Sequence, residues 1–260
     1  MESAFSDKQY YAQHFDPKGY LETYYAFSSD KEAEKALTVF TLKNLHKAFV
    51  LGGLKGDTLI DIGSGPTIYQ FLSACESFRE IIATDFTDQN REEMQRWLRK
   101  EPGAFDWSTI AKFVCELEGD RERWAQKEEK VRSSIKRVLK CDVTQPNPVA
   151  PLSLPPADCL LSTYCLELAS KDLPAFRSAL KNIGSLLKPG GHLVLATALE
   201  LTFFLIGQCR FGCLYLEQKA LEEAVKEAGF DIVWVETTKI SFPLPLIDAT
   251  GAGFVVARKC

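Results

Sequence analysis

Thr58-Leu-Ile-Asp-Ile-Gly-Ser-Gly-Pro-Thr-Ile-Tyr69 is the stretch that decides the fold. Residues 58–62 form a short β-rich apolar run carrying one acid, Asp61. A Gly63-Ser-Gly65 turn follows, and residues 68–74 then read as a helix. Strand, glycine turn and helix together open a nucleotide-binding α/β unit. Glycine lets the chain turn sharply and lets a ligand approach where a Cβ would block it. The helix start beyond leaves N–H groups facing the same place. A pyrophosphate-binding turn would carry a third glycine, but Pro66 and Ile68 stand here instead, and no Gly-Lys-Ser/Thr follows. The Asp-x-Gly-x-Gly form suits a nucleoside lying across the strand ends without a pyrophosphate, such as S-adenosylmethionine. An ordinary structural turn is the competing reading.

Moving outward, residues 81–85 read as a second strand. It ends in Asp85, about twenty residues past the glycine turn, where such folds place the carboxylate that receives ribose hydroxyls. A helix N-cap is the alternative, and Asn90 would open the next helix near the same pocket. Residues 138–143 read as a third strand ending in Asp142-Val143, followed by a proline-stiffened loop at Pro146, Pro148, Pro151, Pro155 and Pro156. Residues 158–163 make a fourth strand with Tyr164-Cys-Leu-Glu167 beyond its end. A helix over 172–187 is stopped by Lys188-Pro-Gly-Gly191, and 192–197 is a fifth strand. A helix over 217–228 and strands over 231–238 and 253–258 complete the chain. Residues 91–137 read as amphipathic helices, broken at Pro102-Gly103. Strands alternating with helices predict a mostly parallel, Rossmann-like α/β sheet.

Residues 1–30 are crowded with aromatics, among them Phe5, Tyr10, Tyr11, Phe15, Tyr20, Tyr24, Tyr25 and Phe27. A disordered tail would not carry these. They read equally as a packed helical cap or as a lid lending rings and hydroxyls to a pocket. Residues 31–51 follow as an amphipathic helix ended by Gly52-Gly53. The 260 residues suit one domain with residues 1–50 as its cap. A formal net charge of −4 gives no electrostatic case for nucleic acid. The apolar run around 199–206 is too short to cross a membrane. The eight cysteines form no C-x-x-C pair and read as reduced thiols. The three histidines are scattered, so no metal site is expected.

Gly63, Asp85, Asp142 and Thr163 all fall at the carboxyl ends of successive strands, where open α/β sheets bind ligands. Asp61-Ile-Gly-Ser-Gly-Pro-Thr-Ile-Tyr-Gln70, Asp106-Trp107, Val138-Leu-Lys-Cys-Asp-Val143 and Ser185-Leu-Leu-Lys-Pro-Gly-Gly191 resemble the nicotinamide, indolethylamine and phenylethanolamine N-methyltransferases. The likeness runs from Phe5 to about Lys259. It implies a class I methyltransferase fold, a mostly parallel seven-stranded sheet with an N-terminal helical lid, using S-adenosyl-L-methionine. Carried over by position, the cofactor residues would be Tyr20, Tyr25, Gly63, Ser64, Tyr69, Asp85, Phe86, Asn90, Asp142, Val143 and Thr163.

Within that family the chain most resembles the indolethylamine enzymes, on Thr58-Leu-Ile-Asp, Asp85-Phe-Thr-Asp, Asn90-Arg-Glu-Glu and Gly191-His-Leu-Val. Thr197, Leu201 and Cys213 stand where the nicotinamide enzymes have an aspartate and two serines, and Phe242 replaces a family tyrosine. The resemblance implies Glu167 as the carboxylate that holds the acceptor amine, with Tyr20 beside it as the second catalytic candidate. A surface helix-capping role is the competing reading of Glu167. Tyr24, Tyr164, Thr197, Leu201, Phe203, Phe204, Cys213 and Phe242 would line the acceptor pocket. The expected partner is therefore a small amine or thioether, with no nucleic acid or membrane, and the chain acting as a cytoplasmic monomer. The alternatives are nicotinamide as acceptor, or a paralogue that holds the cofactor without turnover.

Overall fold

The structure, a computed structural model, describes residues 5–26, 32–240 and 246–260, with 32–34 as backbone only. The strands are β1 (Gly56–Ile62), β2 (Phe78–Asp85), β3 (Ile135–Lys140), β4 (Ala157–Thr163), β5 (Leu187–Leu199), β6 (Phe203–Ile206), β7 (Cys209–Gly212), β8 (Phe230–Lys239) and β9 (Gly251–Lys259). The helices are α1 (Lys8–His14), α2 (Pro17–Tyr24), α3 (Glu32–His46), α4 (Phe71–Ala74), α5 (Asp88–Leu98), α6 (Ser108–Leu117), α7 (Trp124–Ser134), α8 (Leu166–Ala169), α9 (Leu173–Gly184) and α10 (Gln218–Glu227).

Seven strands form one sheet in the order β3-β2-β1-β4-β5-β9-β8. β1 pairs in parallel with both β2 and β4, while β9 runs antiparallel to β5 and β8. The strand order reverses between β1 and β4, which opens a crevice above their carboxyl ends. Consecutive residues of β1 feed opposite cores. Leu59 packs with Ile81 and Leu161 against α3, α4, α6 and α7, whereas Ile60 and Ile62 pack with Leu160 and Leu193 against α9 and α10. A parallel sheet buried on both faces needs a mostly apolar run rather than strict alternation, and the one acid in it, Asp61, is buried and bonded by Gln70 Nε2.

Several boundaries differ from the sequence expectation for identifiable reasons. The helix expected over 68–74 is only α4, because residues 64–70 are tied into a turn. Gln70 Nε2 donates to Asp61 Oδ2, to Ser64 O and to Thr67 O at 3.1–3.2 Å. The helix expected to reach 187 stops at Gly184, and Lys188-Pro-Gly-Gly191 lies inside β5. A register shift between Ala157 and Cys159 absorbs the proline and glycines there. β3 begins at Ile135 and ends at Lys140, leaving Asp142 in the loop beyond it. The helix expected over 31–51 keeps its direction, but residues 47–51 form one wider turn that ends at Gly52. The β6–β7 hairpin was not anticipated. Its apolar run carries no turn dipeptide stronger than Gly207-Gln208.

Candidate active site

The glycine turn after β1 is shaped by what lies behind it. Gly63 sits at φ +71°, in the left-handed region, and a Cβ there would fall 2.1 Å from Cys165 Sγ. No other side chain fits that position. Ser64 fastens the turn to β2, its N–H bonding Thr84 O at 2.8 Å and its Oγ accepting from Thr84 N–H at 3.1 Å.

Asp85, at the end of β2, closes the same turn. Its Oδ2 accepts from Gly65 N–H at 2.9 Å. Its Oδ1 accepts from Thr87 N–H at 2.9 Å, Thr87 Oγ1 at 3.0 Å and Asn90 Nδ2 at 3.1 Å. Burial raises its pKa, and these donors pull part of that rise back. The N-cap of α5 is Thr87, not the acid. Two acceptors remain unspent here: a lone pair of Asp85 Oδ2, and Asn90 Oδ1, which is buried without a partner. Two adjacent acceptors facing a cavity suit the two hydroxyls of a ribose.

Asp142 lies past β3. Its Oδ1 accepts from Thr144 N–H at 3.0 Å and Thr144 Oγ1 at 2.6 Å, and its Oδ2 receives the Lys8 ammonium at 2.7 Å. Burial alone would raise this carboxyl, but Lys8 and Thr144 hold it below its ordinary value. Lys8 and Lys140 place their ammonium groups 5.8 and 5.3 Å from the centre of the Phe86 ring. On the opposite wall the Tyr69 hydroxyl donates to Thr163 Oγ1 at 3.2 Å, Tyr25 stacks on Tyr69, and Tyr25 and Tyr20 bring their hydroxyls to 3.4 Å. Burial pushes the Tyr20 phenol up to about 12.

These groups surround a cavity of about 480 Å³, within the roughly 300–1,000 Å³ usual for small-molecule sites. All eleven residues expected at the cofactor line it. A second cavity of about 60 Å³ shares Tyr20, Tyr25, Tyr69, Tyr164, Leu168 and Phe204 with the first.

Glu167 faces this second cavity from the first turn of α8 and is fully buried. It is not a surface cap. Its Oε1 accepts from Ala198 N–H at 2.8 Å, and its Oε2 is buried with no partner. Burial pushes the carboxyl up to about 7, against the pull of the hydrogen bond from Ala198 N–H. Tyr164 follows β4 at φ +53°, a left-handed conformation that strains a residue with a Cβ. Its N–H bonds Ala196 O at 2.8 Å and its hydroxyl meets Thr41 Oγ1 on α3 at 2.7 Å, so both ends of the side chain's path are fixed. Tyr24 spends its hydroxyl on Leu205 O at 2.8 Å and offers its ring, alongside Leu201 and Phe204.

Three of the expected acceptor residues fall elsewhere. Thr197 is fully buried within β5, with its hydroxyl turned to Ala198 O at 3.3 Å and toward Glu167, and it reaches neither cavity wall. Cys213 is buried behind the wall, with its Sγ 3.5 Å from Phe211 O. Phe203 points away from Phe204, as successive residues of a strand must, and lies under the Arg210 guanidinium. Phe242 lies outside the described residues. Conversely, Tyr11, Phe15, Leu168 and Ile247 line the cavities without having been singled out. The aromatic run at the start of the chain signalled Tyr11 and Phe15 as a group but could not rank them.

The architecture matches known methyltransferases. The Synechocystis magnesium protoporphyrin IX methyltransferase, solved with bound S-adenosylhomocysteine, superposes with a TM-score of 0.62 over 98% of this chain and 100% of its own, at 12% identity. That likeness shows the class I S-adenosylmethionine-dependent methyltransferase fold. At the level of sequence the chain is far closer to other proteins. Human nicotinamide N-methyltransferase is 54% identical over 259 residues, covering 100% of this chain and 98% of that protein. Indolethylamine N-methyltransferase of Oryctolagus cuniculus is 51% identical over 259 residues with the same coverage. The two figures differ little and lean toward the nicotinamide enzyme. Among the described residues no helix is long and apolar enough to cross a membrane. The NNMT/PNMT/TEMT family description matches residues 3–260. On that match and those identities the chain belongs to the NNMT/PNMT/TEMT family and is an S-adenosylmethionine-dependent N-methyltransferase.

Proposed function

We propose that the chain methylates the nitrogen of a small hydrophobic amine of the indolethylamine type, with a small thioether as a further acceptor. S-adenosylmethionine is the cofactor and supplies an electrophilic methyl group on sulfonium sulfur. The turn at Gly63 and Ser64 receives the amino-acid end. Asp85 and Asn90 take the ribose hydroxyls. Val143 and Phe86 flank the base, and Asp142 shares its Oδ2 between Lys8 and the base's amino group. Tyr20, Tyr25, Tyr69 and Thr163 wall the reacting end. Closing an aromatic site around both partners aligns them and excludes water, which is where most of the rate gain of a simple transfer arises. Residues 1–260 act as one unit with 1–50 as its lid, and the enzyme works as a monomer in the cytoplasm.

The observation that carries this reading is the unpartnered Oε2 of Glu167 in an otherwise aromatic and aliphatic wall. A carboxyl with a pKa near 7 accepts a hydrogen bond from an amine and takes up the proton released on methylation. A hydrophobic body fills the rest of the wall without leaving polar groups unpaired. The slightly higher identity to the human nicotinamide enzyme favours nicotinamide as a second reading. Against it, Leu201 offers the carboxamide no hydrogen bond, and Thr197 and Cys213 face away from the cavity.

Labelled methyl transfer to tryptamine and to a small dialkyl thioether tests the role of Glu167. Glu167→Gln should lower kcat/KM for tryptamine about 100-fold or more, the usual scale for a general base, and leave the thioether within about 3-fold. Equal losses on both acceptors would contradict it. Absence of transfer to any acceptor by the unaltered chain would favour the cofactor-holding paralogue.

A further inference from the structure

Tyr11 has a hydroxyl that is fully buried and bonded to nothing. A phenol left so has given up its water without gaining a partner. It lines the larger cavity, its ring 6.5 Å from that of Phe204, which belongs to the wall common to both cavities. The groups that act on it electrostatically include Cys213, Tyr20, Cys165 and Glu167. Burial keeps the phenol neutral, and a neutral phenol both accepts and donates.

The ring is held firmly. It packs on Phe211 with centroids 4.8 Å apart and stacks on Phe15 at 5.8 Å. The helix beneath it, α1, is capped by Asp7, whose side chain accepts from Gln9 and Tyr10 N–H. On one side Ser6 and Gly212 exchange two hydrogen bonds, Ser6 N–H to Gly212 O at 3.1 Å and Gly212 N–H to Ser6 Oγ at 3.0 Å. On the other, Gln89 Nε2 donates to Ala12 O at 2.6 Å. The lid helix thereby bridges the β6–β7 hairpin and the start of α5, with Tyr11 facing inward between them.

We propose that the Tyr11 hydroxyl is a second acceptor-positioning group, taking the amine N–H that Glu167 does not. This rests on the amine reading given above. An amine whose lone pair points at the methyl group still carries its N–H bonds, two if primary and one if secondary. Glu167 lines the smaller cavity and Tyr11 the larger, and each has an unspent oxygen, Oε2 and Oη, to hold them across the wall the cavities share. A primary amine engages both, a secondary amine one, and a tertiary amine neither. The site therefore selects for the first methylation and releases a fully substituted nitrogen. A thioether has no N–H and gains nothing from Tyr11.

The test is Tyr11→Phe, which deletes the hydroxyl and keeps the ring. KM for a primary amine such as tryptamine should rise about 10-fold, the worth of one hydrogen bond of about 1.4 kcal/mol, with kcat changed by less than about 3-fold. KM for a dialkyl thioether and calorimetric affinity for S-adenosylhomocysteine should stay unchanged. A merely structural loss would weaken both acceptors together and lower the melting temperature. Unchanged tryptamine KM, equal effects on both acceptors, or weakened binding of S-adenosylhomocysteine would each overturn the proposal and leave the amine reading standing. Failure of the unaltered enzyme to methylate any amine would overturn both.

Discussion

At the scale of single residues, Glu167 ties chemistry to stability. Its carboxyl titrates near 7 when folded and near 4.5 when exposed, because burial penalises the charged form. Between those values the unfolded chain has released a proton that the folded chain keeps. The stability this group contributes is complete below about 4.5 and drains away as pH rises through 7. Glu167→Gln cannot ionise, so it should match the parent near pH 5 and be more stable at pH 8 by about 1–3 kcal/mol. Denaturant melts at the two pH values check this, and a variant less stable than the parent at pH 8 would contradict it. Asp61, also raised to about 7 by burial, leaves some pH dependence in the variant. A group that destabilises the fold at working pH and has one oxygen unpaired fits the acceptor-holding role proposed for Glu167.

Site residues were legible where strand register fixes direction. Gly63, Asp85 and Thr163 stand at or just past strand ends, where a side chain or a bare backbone must face the crevice. Thr197 stands off the cavity walls because β5 is buried on both faces and polarity gives no clue to which face a residue serves, while Cys213, just past β7, turns its sulfur to Phe211 O. Tyr11 was one aromatic among eight in the first 27 residues. Only the packing tells which hydroxyl stays unpaired.

At the scale of elements, the wall holding Phe204 depends on the β6–β7 hairpin, whose start is anchored by Asp248. Asp248 accepts from Thr202 N–H at 2.8 Å, Phe203 N–H at 3.1 Å and Thr202 Oγ1 at 2.5 Å. These bonds set where β6 begins and hence which of its residues, Phe204, points inward. Asp248→Ala should therefore raise KM for the acceptor about 5–10-fold while calorimetric affinity for S-adenosylhomocysteine stays within about 2-fold, given a loss of roughly 1–1.5 kcal/mol in a charge-assisted cluster. Parallel losses at both sites would contradict a local role. The hairpin itself was hidden in the sequence because its strands have four residues each, too few for an alternation to stand out, and Gly207-Gln208 is a weak turn signal. The central strands were legible for the opposite reason. A parallel strand buried on both faces is a run of apolar residues bounded by polar turns, and β1, β2 and β4 all read that way. Helix ends were less so, since Gln70 and the register shift at Ala157 override local propensity by tertiary hydrogen bonding.

At the scale of the whole molecule, two cavities share an aromatic wall, and the proposed function assigns the cofactor to the larger and the acceptor to the smaller. The larger collects polar groups from successive strand ends and from the lid. The smaller is mostly aromatic and aliphatic, with Thr38 and the unpartnered Oε2 of Glu167 among its polar groups. That division predicts preference for an acceptor with a basic nitrogen on a hydrophobic body over one that needs its carboxamide solvated by protein. The most direct test is internal competition: equimolar tryptamine and nicotinamide in one reaction with labelled S-adenosylmethionine, with the two products separated and counted. The ratio reports kcat/KM for one acceptor over the other. The arrangement of Glu167, Leu201, Thr197 and Cys213 predicts label in N-methyltryptamine at about 10-fold or more over methylnicotinamide, the scale set by burying an unpaired carboxamide. Equal labelling, or a majority in methylnicotinamide, would contradict it.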